Sequence, residues 1–396
     1  MREPGQIRLP KGFSFGAAKA GIKASGKPDL GLILAVPSTS AAALFTRNLI
    51  VAAPITIGRT SLGSSMGRIR AVLVNSGNAN CATGTRGIRA CKDVCADTAK
   101  LLGVSSKQVF PSSTGIIGVQ LPTAKILSQL PFLVNSCESS LDHLQSFAEA
   151  ILTTDSHPKL ANASLSSGVA ITGVAKGAGM IHPQLATMLV YILTDVVVSP
   201  AELRKTLQSA CRDTFNVISI DGDTSTNDTV LLLASGASGI KLRDCRDEFQ
   251  ASLNDVCRSL AEQIVADGEG VQHVIRLHVN GARTRGEALQ VARTIAHSLL
   301  VKTAWAGADP NWGRILAAIG RSGIPVNPGK VSVMIGDQTV CRGAVAYDFD
   351  VRRAHEELSK PESRVEVCLG RGKSEVEFLT TDLTSEYVKI NADYST

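Results

Sequence analysis

The sequence predicts a layered α/β protein in which stacked β-sheets are flanked by helices. Two observations support this fold class. Segments with helical spacing alternate with apolar runs typical of strands in both halves of the chain, and hydrophobic residues make up 44% of the sequence against 19% charged residues. The chain has 396 residues, which is long for one ordinary core. We therefore expect two lobes or one large layered domain.

The first part of the chain is predicted to be rich in strands. Apolar runs separated by Gly and Pro are interpreted as strands of one sheet at 30–36, 41–45 and 50–57. A further strand at 71–74 leads into a polar loop at 75–80, where binding groups often collect. Apolar residues at helical spacing predict a helix over 88–102 that covers this sheet, and a second helix is predicted at 141–152.

The second part of the chain continues the alternation. An apolar run at 188–198 predicts a buried strand, and Ser199 and Glu202 form a capping box that opens a helix to about residue 213. Another capping box, Thr284 with Glu287, opens a helix to about residue 300. The remaining predictions are a helix at 246–266, a strand at 273–279, a helix beginning in 307–314, and β-hairpins at 331–340 and 364–379.

Composition narrows the function classes. No apolar run reaches the roughly 18 residues that a membrane helix needs, and the N-terminal residues carry no apolar signal region, so we expect a cytoplasmic protein. The nine cysteines include no CxxC pair, which favours reduced, packed thiols over a zinc site. The net charge of +6 is spread along the chain and only 4% of residues are aromatic. Nucleic-acid binding therefore has little support, whereas small anionic substrates suit this charge.

Several catalytic motifs are present only in part. Gly-Ser-Ser-Met-Gly at 63–67 matches the nucleophile elbow, but a strand rather than a helix is predicted after it. The segment 370–374 ends like a phosphate-binding loop without its first Gly, and 221–228 lacks the Gly and Glu of a calcium loop. None of the seven histidines has metal-ligand spacing, so no metal is expected, and His157 and His182 are given no role.

Thr187 is the most informative position. It follows a Gly- and Pro-rich loop and directly precedes the predicted buried strand, so its hydroxyl lies at a loop-to-strand junction. On local composition alone, an ordinary loop feeding a core strand is the favoured interpretation. A reactive alternative is that the chain is cut before Thr187, which would give this residue an α-amino group with a pKa of about 7.7 to 8.0. Nucleophile and general base would then belong to one residue.

The segment Lys176-Gly-Ala-Gly-Met-Ile-His-Pro-Gln-Leu-Ala-Thr187 resembles the self-cleavage signature of the glutamate N-acetyltransferase / ornithine acetyltransferase family of arginine biosynthesis. The resemblance extends over the whole chain. Further blocks similar to the family, in family order, lie at 75–80, 113–118, 153–155, 221–228, 267–270, 307–314 and 387–396.

The resemblance implies autocatalytic cleavage between Ala186 and Thr187, which yields an α chain of residues 1–186 and a β chain of residues 187–396. It also implies an α2β2 heterotetramer with the layered αββα fold of self-processing aminopeptidases. The implied reaction is ping-pong: Thr187 takes the acetyl group of N2-acetylornithine as an ester, releases ornithine and passes the acetyl group to glutamate. No cofactor is expected, and the sequence leaves open whether acetyl-CoA also serves as a donor.

The resemblance also assigns site residues. Thr114 and Gly115 match the oxyanion-hole pair of the family. The substrate contacts carried over with Thr187 are Thr153, Lys176, Glu269, Asn391 and Thr396. From charge, we expect Lys176 to meet a substrate carboxylate and Glu269 to meet the side-chain ammonium of ornithine. We expect neither a nucleic-acid partner nor a membrane.

Two departures from the family pattern concern packing or substrate preference. Cys81-Ala82 stands where Ala-Cys is usual, and Val271-Gln-His273 stands where Ala-Thr-Lys is common.

Two other hypotheses remain. A self-processing aminopeptidase or amidase of the same fold would pass the acyl group to water, and an unprocessed chain would act only as a binding protein or scaffold. Glu269 and the block at 391–396 favour the transferase.

Overall fold

The computed structural model describes residues 8–182 and 188–393, and the structural statements below concern these residues. Its strands, in chain order, are β1 Phe13–Ala18, β2 Leu30–Ala35, β3 Ser40–Phe45, β4 Ala71–Asn78, β5 Val109–Ile116, β6 Lys159–Ser164, β7 Ala170–Lys176, β8 Leu189–Thr194, β9 Thr229–Ala234, β10 Val274–Ala282, β11 Ser332–Ile335, β12 Gln338–Arg342, β13 Val345–Ala346, β14 Glu362–Cys368 and β15 Ser374–Thr381. The helices are α1 Ala53–Ser64, α2 Gly84–Leu102, α3 Thr123–Asn135, α4 Leu141–Ala150, α5 Pro200–Arg212, α6 Arg246–Ala266, α7 Arg285–Ala296, α8 Leu299–Ala306, α9 Trp312–Gly320, α10 Val351–Leu358 and α11 Ser385–Asp393.

The strands form three sheets. A four-stranded sheet has the order β1-β2-β4-β5, a five-stranded sheet has the order β3-β9-β8-β7-β6, and a six-stranded sheet has the order β13-β12-β11-β14-β10-β15. The five-stranded sheet combines strands from both sides of the predicted cleavage point. Its strands β7 and β8 pair antiparallel from Ile171 opposite Thr194 to Lys176 opposite Leu189.

The four- and five-stranded sheets pack face to face. The alternation of side chains along β8 shows this arrangement: Leu189, Tyr191 and Leu193 enter a core shared with the four-stranded sheet, while Val190 and Ile192 point to the opposite face. Strands β8 and β9 of the five-stranded sheet are buried on both faces, which is why their sequences are continuous apolar runs rather than alternating ones.

Helices cover the outer faces of these two sheets. Helices α1, α2 and α3 share an apolar core with the four-stranded sheet, and α5 and α6 share one with the five-stranded sheet. The order of layers is therefore helix, sheet, sheet, helix. This arrangement confirms the predicted layered α/β class with stacked sheets flanked by helices. The six-stranded sheet has its own core with α7, α8, α9 and α10.

Local signals predicted several elements correctly. Helix α6 has the predicted bounds, and α5 and α7 begin at the predicted capping residues, where the Ser199 and Thr284 hydroxyls accept hydrogen bonds from the Glu202 and Glu287 N–H groups. Helix α7 nevertheless ends at Ala296 rather than near residue 300, and α8 follows it.

Three predictions about strands were wrong. The apolar run 50–57 belongs largely to helix α1, which has Pro54 in its first turn. The first strands do not share one sheet, because β3 pairs with β9 in the five-stranded sheet. Strands β14 and β15 are not a hairpin, since β10 lies between them and pairs with both. Such long-range insertion leaves no trace in the local sequence.

Within the described residues, no helix is long and apolar enough to cross a bilayer, and no cluster of three or more His, Cys, Asp or Glu side chains is arranged to hold a metal ion. The cytoplasmic location stays a prediction from the sequence. The nine cysteines are all free thiols, and seven of them are buried, as predicted for packed, reduced residues.

Candidate active site

One wall of a cleft forms where strand β5 ends. Thr114 is buried and Gly115 follows it, and in the neighbouring strand β4 Gly77 lies opposite Gly115. Gly115 has a φ of +130°, and a Cβ atom at this position would lie 2.3 Å from the carbonyl carbon of Gly77. Only glycine permits so close an approach of two backbones. The loop therefore presents backbone, not side chain, at the edge of the cleft.

A buried lysine forms the next part of the cleft. Lys176 ends strand β7 and is only 2% exposed. Its Nζ donates a hydrogen bond of 2.7 Å to Thr153 Oγ1 and lies 3.5 Å from Asp155 Oδ2. Thr153 and Lys176, both predicted to contact the substrate, therefore contact each other, and Asp155 offsets part of the lysine charge.

Asp155 is the centre of a buried ionic network. Its Oδ1 accepts hydrogen bonds from Lys159 Nζ at 2.6 Å and from the Gly177 N–H at 2.5 Å, and Lys159 also pairs with Asp267. Burial opposes ionisation of this carboxyl, but the nearby Lys176 and Lys159 ammonium groups outweigh it and hold the pKa of Asp155 well below its usual range. The network fixes the loop after β7 against the start of β6.

Glu269 lies on the opposite side of the cleft. Its N–H donates to the carbonyl of Ala178 at 2.8 Å, and its Oε2 accepts a hydrogen bond of 2.8 Å from Asn391 Nδ2. A Cβ atom on Gly179 would lie 2.5 Å from Glu269 Oε2, so a larger residue at this position would displace the Glu269 carboxylate. The partner Asn391 is a neutral amide, so this contact leaves the negative charge of Glu269 uncompensated and available to a cation.

A second carboxyl group of the cleft titrates near neutral pH. Asp221 accepts hydrogen bonds from the N–H groups of Met180 at 2.5 Å and Asp223 at 3.0 Å. Burial raises the pKa of Asp221 to about 6, and the negative charges of Asp223 and Glu269 add to the rise. Burial and the negative charges of Asp221, Glu269 and Asp223 raise the pKa of Tyr387, which also lines the cleft.

Met188 lies at the inner end of the site, where strand β8 is about to begin. It is 1% exposed, and its N–H donates to Asp228 Oδ1 at 3.2 Å. A small cavity here is lined by Met188, Thr114, Lys176 and Asp228 among others. Among the described residues the buried Asp228 Oδ2 has no hydrogen-bond partner of normal geometry. Burial raises the pKa of Asp228 well above its usual range, despite the hydrogen bond from Met188.

The cleft has a volume of about 170 Å³, a size suited to a small amino acid. Six of the predicted site residues line it together: Thr114, Gly115, Thr153, Lys176, Glu269 and Asn391. The predicted cleavage site, Ala186 and Thr187, and the C-terminal Thr396 lie outside the described residues. The lining includes a lysine, Lys176, and the carboxyl groups of Asp221, Asp223 and Glu269, which suits an amino acid that carries charges of both signs.

Sequence reasoning gave no role to three carboxyl groups of this region, Asp155, Asp221 and Asp228. Each belongs to a motif that was recognised, but the motif does not reveal that Asp155 meets lysines or that Asp228 bonds the residue after Thr187. His157 lies 3.2 Å from Asp267, and His182 packs on the ring of His297 with centroids 4.8 Å apart. Neither histidine is among the residues that line the cleft.

The layered fold and this cleft define an enzyme that acts on small amino acids. A family model described as the ArgJ family matches residues 14–396, almost the entire chain. The chain belongs to the ArgJ family. It is an acetyltransferase of arginine biosynthesis, which confirms the function and the family predicted from the sequence motifs.

Relatives share the full length of the chain. The arginine biosynthesis bifunctional protein ArgJ of Thermus thermophilus is 44% identical over 98% of this chain and 100% of its own length. The protein of the same description from Methylococcus capsulatus is 42% identical over 97% of this chain and 95% of its own. A crystal structure of the Bacillus halodurans ArgJ protein matches with a TM-score of 0.50 and 37% identity, covering 52% of this chain and 98% of that chain.

Proposed function

We propose that the chain cuts itself between Ala186 and Thr187 and then transfers acetyl groups through Thr187. The observation that supports this best is the position of Met188. Met188, the residue that follows Thr187 in the sequence, lines a buried cavity together with Thr114 and Lys176, two of the proposed site residues. For the cut, this hydroxyl attacks the Ala186 carbonyl carbon, the peptide C–N bond breaks, and water hydrolyses the resulting ester.

After the cut, the free α-amino group of Thr187 serves as the base. It takes the hydroxyl proton while the oxygen attacks the acetyl carbon of N2-acetylornithine. Thr114 and Gly115 stabilise the oxyanion. The C–N bond then breaks, the amine leaves as ornithine with the proton, and the acetyl group remains on Thr187 as an ester. The amine of glutamate attacks this ester in the second half-reaction and leaves as N-acetylglutamate.

The charges of the cleft suit both proposed substrates, N2-acetylornithine and glutamate. Lys176 and Thr153 lie at the end of β7, where they meet the substrate carboxylate, and Glu269 meets the side-chain ammonium of ornithine with Asn391 as its support. Thr396 completes this set as a proposed substrate contact. Because Asp155 already lies 3.5 Å from Lys176, the lysine holds a substrate carboxylate as a shared rather than an exclusive partner.

Asp228 is a proposed positioning residue for the new chain end. Its carboxyl group accepts a hydrogen bond from the N–H of Met188, one residue beyond the proposed α-amino group. The Lys176 ammonium only partly offsets its burial, and among the described residues the carboxyl group lacks a salt-bridging positive charge. The ammonium created at Thr187 by the cut would supply that charge. The carboxylate would then orient the amine and raise its pKa.

The proposed α and β chains, residues 1–186 and 187–396, would remain associated after the cut. Strands β7 and β8 lie on either side of the cleavage point and pair along six residues of each strand. The Bacillus halodurans structure supports a division near the middle, because nearly all of its chain covers only about half of this one. We extend this proposal to an α2β2 heterotetramer and, because the relatives are named bifunctional, to acetyl-CoA as a second donor.

Trapping the acetyl-enzyme tests the proposal. Wild-type protein is incubated with N2-acetylornithine without glutamate, quenched in acid and analysed by mass spectrometry. We expect one acetyl group on the peptide that begins at Thr187, and its loss when glutamate is added. Acetyl transfer at full rate without an acetylated Thr187 peptide would rule out the ester mechanism. Hydrolysis to free acetate, with no transfer to glutamate, would favour the aminopeptidase alternative.

A further inference from the structure

A large groove lined by arginine lies outside the substrate cleft. It has a volume of about 970 Å³ and is formed by the end of β3 and by helices α1, α5 and α7. Six arginines line it, and no Asp or Glu is among its lining residues: Arg47, Arg59, Arg204, Arg212, Arg285 and Arg293. We name this feature the arginine groove. Six of the 41 lysine and arginine residues of the chain therefore line one surface whose lining contains no carboxylate.

The arginines of the groove are only partly neutralised. Arg212 and Arg285 share the carboxylate of Asp213, and Arg59 donates to the carbonyl of Thr46 at 3.3 Å. Among the described residues the buried Nε of Arg293 has no hydrogen-bond partner. Burial, together with repulsion from Arg47 and Arg285, lowers the pKa of Arg293. A buried donor without an acceptor and crowded like charges both cost free energy, and an anion with several oxygens would remove both costs.

We propose that the arginine groove binds the phosphate groups of a polyphosphorylated ligand of the nucleotide type. Guanidinium groups match phosphate oxygens through paired hydrogen bonds, and several of them on one concave surface suit two or more phosphates. At the rim, Leu49 is 98% exposed and Ile50 is 67% exposed. These apolar side chains give the organic part of such a ligand a surface to pack on.

The groove and the substrate cleft lie on opposite sides of one loop, residues 221–228. On the groove side, Asn48 Nδ2 donates to the Thr224 carbonyl at 3.0 Å and Thr46 Oγ1 donates to the Ser225 carbonyl at 2.8 Å. On the cleft side, the same loop supplies Asp221 and Asp223. Thr46 and Asn48, which line the groove, therefore connect it by hydrogen bonds to the segment that also carries Asp228.

Two sources share the required chemistry. One is the phosphorylated nucleotide part of acetyl-CoA, if the proposed second donor is used. The other is a free nucleotide that acts as an effector. The binding proposal itself does not depend on cleavage at Thr187, so it can fail or succeed independently of the acetyl-Thr187 mechanism.

The test uses full-length purified protein and isothermal titration with inorganic pyrophosphate, ADP and CoA at low salt. We expect all three to bind and the double variant Arg47→Gln/Arg293→Gln to weaken each by roughly tenfold or more. The matched control is Arg352→Gln, an exposed arginine of α10 that pairs with Glu356. It should bind like wild type. Thermal unfolding of each variant checks folding, and Arg293→Lys should retain part of the affinity because it keeps the charge.

The outcomes separate the sources. If CoA binds much more tightly than ADP, and the double variant raises KM for acetyl-CoA but not for N2-acetylornithine, the groove holds the donor nucleotide. If ADP and CoA bind equally and acetyl-CoA is not consumed, the groove is an effector site. Three results would overturn the proposal. The first is absence of binding to the wild-type protein, and the second is equal binding by wild type and the double variant. The third is a changed oligomer mass of the variant without any ligand binding.

Discussion

Asp155 and Asp228 are both fully or nearly fully buried carboxyl groups beside the same cleft, yet their surroundings are opposite. Asp155 lies between two lysines, Lys159 at 2.6 Å and Lys176 at 3.5 Å, and these charges hold its pKa well below the usual range. Asp228 accepts a hydrogen bond from the N–H of Met188 and forms no salt bridge among the described residues. Burial raises its pKa, although nearby hydroxyl groups and the charge of Lys176 oppose the rise. One group is therefore ionised in the folded protein, and the other favours its neutral form.

This difference distinguishes a buried carboxyl group that stabilises the fold, Asp155, from one that is proposed to serve the catalytic site, Asp228. A charge matched by cations within the same chain contributes to the fold and is complete without a substrate. A buried carboxyl without a salt-bridging cation among the described residues can accept a new one, and the proposed cut before Thr187 would supply it as an ammonium group. The following changes test this contrast, beginning with the largest effect.

Removing the matched carboxylate should cost the most stability. Asp155→Asn leaves Lys176 and part of the Lys159 charge buried without compensation, so we expect the free energy of unfolding to fall by about 3 kcal/mol. Urea unfolding at pH 7 measures this change. The exposed Asp142→Asn serves as the control and should differ from wild type by less than about 0.5 kcal/mol.

The wild-type protein and Asp155→Asn should also differ in how the free energy of unfolding depends on pH. The folded pKa of Asp155 is depressed, so its contribution is present above the unfolded pKa of about 3.9 and is lost as pH falls towards the folded value. As pH falls through that acidic range, the free energy of unfolding of the wild-type protein should decrease by up to about 1.4 kcal/mol per pH unit more than that of Asp155→Asn. Parallel acid-unfolding curves would show that Asp155 does not carry this charge.

Changing a partly exposed charge of the cleft should affect binding and leave the fold intact. Glu269→Gln keeps the hydrogen bond to Asn391 but removes the charge proposed to meet ornithine, so KM for N2-acetylornithine should rise by roughly tenfold. Cleavage and the free energy of unfolding should not change. Steady-state kinetics with Glu356→Gln as a surface control measures this effect, and unchanged KM would refute the proposed role.

Asp228→Asn should change stability little and catalysis more. Asn resembles the neutral carboxyl, so the free energy of unfolding before cleavage should stay within about 1 kcal/mol of wild type at pH 5. A raised folded pKa lowers stability as pH rises above about 3.9, so the uncut Thr187→Ala/Asp228→Asn protein should gain stability over uncut Thr187→Ala towards pH 8.

For the cut enzyme, loss of the Asp228 carboxylate should lower the pKa of the Thr187 amine, so the acidic limb of the kcat/KM profile should move to lower pH. A merely structural role for Asp228 would change the rate without moving the profile.

The smallest effect concerns Asp221. Because its pKa is about 6, the cleft loses negative charge as pH falls through that value, and an ammonium-bearing substrate should bind a few-fold more weakly at pH 5 than at pH 7. Asp221→Asn should remove this change in KM. A wild-type KM that is flat between pH 5 and pH 7 would contradict the prediction.

The sequence predicted the layers and much of the cleft, but not their long-range partners. Capping residues such as Ser199 and Thr284 act on their own helix, so the starts of α5 and α7 could be placed correctly. The insertion of β10 between β14 and β15 depends on residues more than 80 positions apart, which local patterns do not encode. Likewise, the motif around Thr153 identified a site residue, whereas the meeting of Asp155 with Lys176 requires the folded loop.

The most direct test of the central claim is the mass and N-terminal sequence of the purified chains. Wild-type protein under conditions of active acetyl transfer should contain two polypeptides, residues 1–186 and residues 187–396 beginning with Thr187, that separate only after denaturation. Thr187→Ala should give one uncut chain, and Thr187→Ser should still be cut because it retains a hydroxyl. A fully active wild-type protein that remains a single chain of 396 residues would contradict the account.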